Sequence, residues 1–306
     1  MSIEHGKASQ GDSTPALRRE MRARGEATRP QPARACRLSL VTVNRLVQKL
    51  CEAGEMEAVG EVSSGGGRPV QLYRLRRSAS WAALLRLRAE GGVLLAELEL
   101  LDPLGARLKQ AGARFAHIEE GTLGSWLEGV LHKARTRRRL LGIMIEAGNT
   151  PPLPPTLYGH LAARFACPCR RVSVADALAE RREGTLTLCF AEQAAPLATL
   201  YRHSTLQPCG ELAHLPLPAD WASLDYDDHT LVEEMVARLL QILCCTLAPA
   251  RVVLYGTFWS ERLLRRIRYN LSTKLRHTAL PPLSFRRPAP DAAEAALKRL
   301  ALEVEG

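Results

Sequence analysis

The stretch Leu38-Ser39-Leu40-Val41-Thr42-Val43-Asn44-Arg45-Leu46-Val47-Gln48-Lys49-Leu50-Cys51-Glu52 has the two-sided pattern of a surface helix. Val43, Leu46, Val47 and Leu50 recur at i, i+3, i+4 and i+7, which lines them up in one apolar stripe and leaves Thr42, Asn44, Arg45, Gln48 and Lys49 on the opposite face. Ser39 stands ahead of the run with a hydroxyl for the free amides of the first turn, and Gly54 stands after it as a stop. The period predicts a helix with a basic, polar outer face.

Upstream, Thr14-Pro15 reads as a helix start with Thr14 as cap, and that helix ends at Gly25; a second short helix is expected over 32–37. Downstream, Met56–Val62 and Val70–Leu75 have strand composition and are joined by Ser63-Ser64-Gly65-Gly66-Gly67-Arg68-Pro69, a glycine-rich hairpin tip. Three short helices followed by a hairpin is the plan of a winged helix-turn-helix, here expected over 14–77, in which the third helix enters the major groove and the hairpin lies along the backbone or the minor groove. Residues 1–13 are polar and aperiodic and are expected to form a disordered tail.

Charge agrees with that plan. Residues 1–77 hold 14 Lys/Arg against 8 Asp/Glu, a surplus of six within a chain whose net charge is +10. A basic module suits a polyanion, because each phosphate contact releases condensed counterions, although an arginine-rich composition alone gives the same balance. Ser39, Val41, Thr42, Asn44, Arg45 and Gln48 form the candidate DNA-facing set: Asn44 or Gln48 for adenine, Arg45 for guanine or phosphate, and Val41 for a thymine methyl. Arg68, between glycine and proline, is the candidate for insertion into a narrow A·T-rich minor groove, with phosphate contact as the alternative. The aromatic share of 5% argues against a base-stacking single-strand binder.

From Trp81 onward apolar runs alternate with helical-looking stretches: strands over 81–87, 93–101, 140–145, 172–174, 185–190, 198–202, 251–255 and 283–285, with helices over 121–134, 157–165, 228–247, 260–275 and 291–304. The alternation points to an α/β domain over 78–306, with no internal repeat in the sequence. No run reaches the roughly 18 apolar residues of a membrane span, and the first residues, MSIEHGKASQGDS, lack the apolar core of a signal peptide. The eight cysteines are scattered over the length, several inside apolar runs, and read as small buried hydrophobes in a reducing cytoplasm, which sets a cytoplasmic localisation as the expectation.

The segment 38–47, then Glu52-Ala53-Gly54, then Gly66-Gly67-Arg68-Pro69, strongly resembles the N-terminus of ROK-family repressors (repressor, open reading frame, kinase), closely over about residues 14–77 and loosely beyond. Leu141-Gly142-Ile143-Met144-Ile145-Glu146-Ala147-Gly148 looks like the family's strand ending in a Gly-rich turn, and Val252-Val253-Leu254-Tyr255-Gly256 like its late strand before the nucleotide-side glycines. Val172-Ser173-Val174-Ala175-Asp176-Ala177-Leu178 sits where the family has an Asn-Asp-Ala-Asn stretch, and Gly210-Glu211-Leu212-Ala213-His214 resembles its sugar-holding Gly-Glu-x-Gly-His. The resemblance implies a two-lobed actin-like (ribonuclease H-like) ATPase fold after the winged helix-turn-helix. It makes Asp176, Glu211 and His214 the candidate sugar-ligand residues, with local caps and hydrogen bonds as their alternative role.

The departures from the family pattern set the expected chemistry. The family's Asp-x-Gly-x-Thr phosphate loop has no counterpart in 84–101, where Glu90-Gly91-Gly92 stands between the two halves. Phosphoryl transfer rests on positioning phosphate and metal, so no enzyme activity and no cofactor are expected. Residues 215–228 contain none of the cysteines of the family's zinc site; Cys167-Pro168-Cys169 and Cys244-Cys245 have the wrong spacing to replace it, so no metal is expected. The reading is a homodimeric regulator on a double-stranded, two-fold symmetric operator, expected to repress carbohydrate-related genes, with a sugar-like ligand or a protein effector on a pseudokinase-like domain and no membrane partner. The alternatives are an active carbohydrate kinase and a protein-interaction module without specific DNA binding.

Overall fold

The structure is a computed structural model that describes residues 13–63, 69–116, 120–134, 139–147, 153–191, 194–209, 212, 215, 217, 220–221, 224–275, 279–289 and 291–304. The chain divides into two compact units. One takes the described residues of Met1–Ile145, Thr150–Arg171 and Lys298–Gly306, the other those of Glu146–Asn149 and Val172–Leu297.

The first unit opens with α1 (Thr14–Arg24), β1 (Glu26–Thr28), α2 (Pro30–Ala35), α3 (Leu40–Glu52), β2 (Met56–Val62) and β3 (Val70–Leu75). The three strands form an antiparallel sheet in the order β1-β3-β2. Leu17 and Met21 of α1, Ala33 of α2, Val43, Leu46, Val47 and Leu50 of α3, and Met56, Tyr73 and Leu75 of the sheet close one core. The stripe read from the sequence is thus the buried stripe. Thr14 is not the cap of α1 but its first helical residue; Ser13 takes the cap position without a side-chain bond, and Pro15 supplies the fixed φ of the first turn.

The rest of the first unit is β4 (Ser80–Glu90), β5 (Val93–Leu101), β6 (Arg107–Phe115), α4 (Glu120–Ala134), β7 (Arg139–Ala147), α5 (Pro155–Phe165) and β8 (Cys169–Val172). Its five-stranded sheet runs in the order β6-β5-β4-β7-β8. Trp81, Ala83, Leu85 and Leu87 turn one face of β4 towards Leu123, Leu127 and Leu131 of α4 and Leu157 and Leu161 of α5. Gly142 in β7 admits no side chain: a Cβ there would lie 2.5 Å from Val304 and 2.8 Å from the Pro168 carbonyl.

The second unit carries α6 (Val174–Leu178), β9 (Thr185–Cys189), β10 (Leu197–Arg202), β11 (Thr205–Pro208), α7 (His229–Leu247), β12 (Arg251–Tyr255), α8 (Glu261–Lys274) and β13 (Leu283–Arg286); α9 (Ala292–Ala301) begins in it and ends in the first unit. Its sheet runs β11-β10-β9-β12-β13, with β12 parallel to both β9 and β13. Both sheets therefore share one plan: three strands in a meander, a helix, a fourth strand beside the first, a helix, and a fifth strand. The repeat absent from the sequence is present in the topology.

Five elements depart from the sequence reading. β1, β6 and β11 were not expected, and the 172–174 stretch is not one strand, because β8 ends at Val172 and Ser173 caps α6. α2 starts two residues early, at Pro30, and ends before Arg37.

Candidate nucleic-acid interface

The exposed face of α3 gathers most of the residues read from the sequence. Ser39 caps the helix by accepting the Thr42 amide at 3.0 Å, and the two hydroxyls lie 2.8 Å apart. This bond satisfies one of the free amides of the first turn, which carries no acidic side chain. The first turn therefore keeps the positive end of its dipole uncompensated.

Val41 is 78% exposed on that turn, beside an exposed Leu40. An apolar side chain held out in water contributes nothing to the core, yet suits a base-edge methyl. Arg45, one turn on, is also exposed, and Gln48 donates from its amide to Glu52 at 2.9 Å. Asn44 differs: it is half-buried, and its amide oxygen is enclosed with no hydrogen-bond partner among the described residues. A bidentate adenine contact by Asn44 requires that amide to turn outward.

The basic residues of the N-terminal elements fall into two groups. Arg18 donates to Glu55, Arg22 to the Pro103 carbonyl, Arg24 to Glu20, and Arg77 lies 3.7 Å from Asp102. On the sheet, Arg74 and Arg76 flank Glu57 at 2.8 and 3.1 Å, and their guanidiniums hold its carboxyl below the usual carboxylate range. By contrast Arg34, Arg37, Arg45 and Lys49, on α2, the turn and α3, have no side-chain bond to another described residue. The unneutralised cations collect on the helix side of the module.

The turn that aims α3 has a specific geometry. Arg37 sits at φ 55, the Leu38 amide donates to the Ala33 carbonyl at 2.9 Å and the Arg37 amide to Arg34 at 3.3 Å. These are the two bonds of a Schellman close, whose left-handed position is usually glycine, and Leu38 and Ala33 make its apolar contact in the core. The sequence reading had no signal for it, since Arg37 is a poor residue for that conformation.

Arg68 lies outside the described residues, as do Glu211 and His214. Asp176 is placed in the second unit. One carboxylate oxygen accepts the Ser173 amide at 2.7 Å and the Ser173 hydroxyl at 2.8 Å, the Asp176 amide returns a bond to Ser173, and the other oxygen accepts the Thr199 hydroxyl. That is a capping box on α6 tied to β10. At the first hairpin of the sheet domain, Glu90 pairs with Val93, and only Gly91 and Gly92, at φ 56 and 78, stand outside the ladder. Among the described residues no group of three His, Cys, Asp or Glu is placed to hold a metal ion, and no helix is long and apolar enough to cross a membrane.

No protein-family profile and no curated protein matches this chain. Among solved structures, a ROK family transcriptional regulator described as a homologue of the Escherichia coli MLC protein superposes over 95% of this chain and 97% of its own, at 12% identity and a TM-score of 0.60. The ROK hexokinase from Thermus thermophilus is 16% identical over 71% of this chain and 97% of its own, with a TM-score of 0.46. The glucokinase from Parabacteroides distasonis is 10% identical over 73% and 97%, with a TM-score of 0.48. The chain has the mixed α/β fold of the ROK regulator, and likeness at this identity speaks to fold alone.

Proposed function

We propose that this chain is a sequence-specific, double-stranded-DNA-binding transcriptional regulator. In this reading α1 to β3 form a winged helix-turn-helix, α3 enters the major groove, the β2–β3 hairpin with Arg68 at its tip is the wing, and two copies bind a two-fold symmetric operator. The observation that carries it is the outer face of α3, where Val41, Arg45, Gln48 and Lys49 stand exposed on a helix whose other side is locked into a core. Cations without partners among the described residues supply phosphate affinity, and an exposed valine among them supplies a reason to read bases.

The sheet domain serves in this reading as an effector or partner platform without phosphoryl transfer. A two-residue turn of Gly91 and Gly92 leaves no loop at the first hairpin to wrap a phosphate, and Asp176 spends one carboxylate oxygen on the α6 cap and the other on the Thr199 hydroxyl of β10. A sugar-like ligand at Asp176, Glu211 and His214 stays part of the proposal on the strength of the resemblance, as does repression of carbohydrate-related genes. Sequencing of genomic fragments retained by the purified protein tests the reading: a two-fold symmetric motif is expected, and uniform weak retention of all fragments counts against it.

A further inference from the structure

α8 divides its polar residues by direction. Leu263, Leu264, Ile267 and Leu271 face the core of the second unit. Arg266 and Asn270 fasten the helix to Glu233 of α7, at 2.6 and 3.3 Å, and Arg268 donates to the Leu283 carbonyl. Among the exposed residues of α8, Arg262, Arg265, Tyr269 and Thr273 are spaced i, i+3, i+7 and i+11 along one stripe of roughly 16 Å at the helical rise.

Tyr269 is 74% exposed, the largest side chain among the exposed hydrophobics, and Arg262 has no side-chain bond to a described residue. Of the 14 residues of α8, one is acidic and five are basic, and Glu261 already offers its carbonyl to Arg265. Tyrosine and arginine are the side chains that dominate binding energy at protein interfaces, and a helix locked on its other side presents them without a backbone ordering cost.

We propose that this stripe docks an acidic protein segment, one that sets carboxylates against Arg262 and Arg265 and an apolar residue against the Tyr269 ring. A nucleic-acid backbone would use the charges but not the ring; carboxylates forked by arginine, with an apolar residue covering the exposed tyrosine ring, use both. The proposal gives the partner-binding part of the functional reading a place and does not depend on operator binding.

The test is a selection of phage-displayed random twelve-residue peptides on the full chain, with Tyr269→Ala and Arg265→Glu proteins compared by fluorescence anisotropy on the selected peptides. Enrichment of acidic peptides carrying an apolar residue, bound roughly tenfold or more weaker by each variant, is the expected result. Selection without acidic enrichment, or loss of binding in Arg265→Glu alone, would overturn it. Operator affinity of the same variants, measured in parallel, is expected to stay unchanged, so failure here and failure of the DNA-binding reading are read on separate axes.

Discussion

Arg139, the first residue of β7, reaches Glu55 at 3.4 Å, one residue beyond the glycine that ends the α3 turn. The same carboxylate takes Arg18 of α1 on its other oxygen at 2.7 Å, so one side chain joins α1, the exit of α3 and the five-stranded sheet of the first unit. Leu104 between β5 and β6 packs on the same core, and Arg22 holds the Pro103 carbonyl at 3.0 Å.

The Glu55 contacts have separable consequences. Arg18 and Glu55 are largely buried, so Arg18→Ala leaves a poorly solvated carboxylate and is expected to lower stability by about 1–3 kcal/mol. Arg139 is 59% exposed, and its contribution is screened. Arg139→Ala is expected to leave the melting temperature within a degree or two while weakening operator binding by roughly two- to fivefold through looser positioning of the module. Equal operator affinity for Arg139→Ala and wild type would show that the contact positions nothing.

Arg37→Gly is expected to stabilise the chain. The left-handed φ costs a residue with a Cβ about 1–2 kcal/mol, while glycine gives back part of the gain as chain entropy. A net rise of about 0.5–1 kcal/mol in urea unfolding follows, and a fall would mean that the Arg37 side chain holds the turn.

Asp176→Asn keeps one oxygen for the Ser173 amide and hydroxyl but removes the charge they stabilise and turns the acceptor opposite the Thr199 hydroxyl into a donor. A loss of about 1–3 kcal/mol in the second unit is expected, with operator affinity unchanged in the cold. A normal melting temperature coupled to loss of sugar binding would instead assign Asp176 to the ligand rather than to the cap.

Burial pushes the thiols of Cys169 and Cys189 up to about 12 and those of Cys167, Cys209 and Cys244 up to about 11, while Cys245 is exposed. The thiolate is the reactive form, and at pH 8 a thiol of pKa 11 is ionised to only about 0.1%. Iodoacetamide is expected to label Cys245 first by peptide mass mapping; early labelling of Cys189 would contradict the packing of β9.

The elements whose residues carry their own signal were legible in the sequence. Ser39 and the Val43, Leu46, Val47, Leu50 stripe define α3, and the β2 and β3 strands fall on the runs read for them. β1 is three residues held by pairing with β3, and β6 alternates partly buried with exposed positions along Arg-Leu-Lys-Gln-Ala-Gly-Ala-Arg-Phe, so neither shows an apolar period. Val172-Ser173-Val174 alternates like a strand, and the cap from Ser173 to Asp176 overrides it. The candidate DNA-facing residues of α3 were legible as one helix face, but the inward turn of Asn44 follows from packing that no spacing encodes.

The most direct test of the central claim is the affinity of wild type and Arg45→Ala for a duplex selected from genomic fragments and for its single-base variants, across a salt titration. The account predicts that Arg45→Ala weakens binding by about 1–3 kcal/mol and relaxes preference at one position of each half-site if Arg45 reads a base, or lowers the salt slope by about one if it reads a phosphate. Indifference of the wild-type protein to sequence, or unchanged affinity and slope in Arg45→Ala, would contradict it.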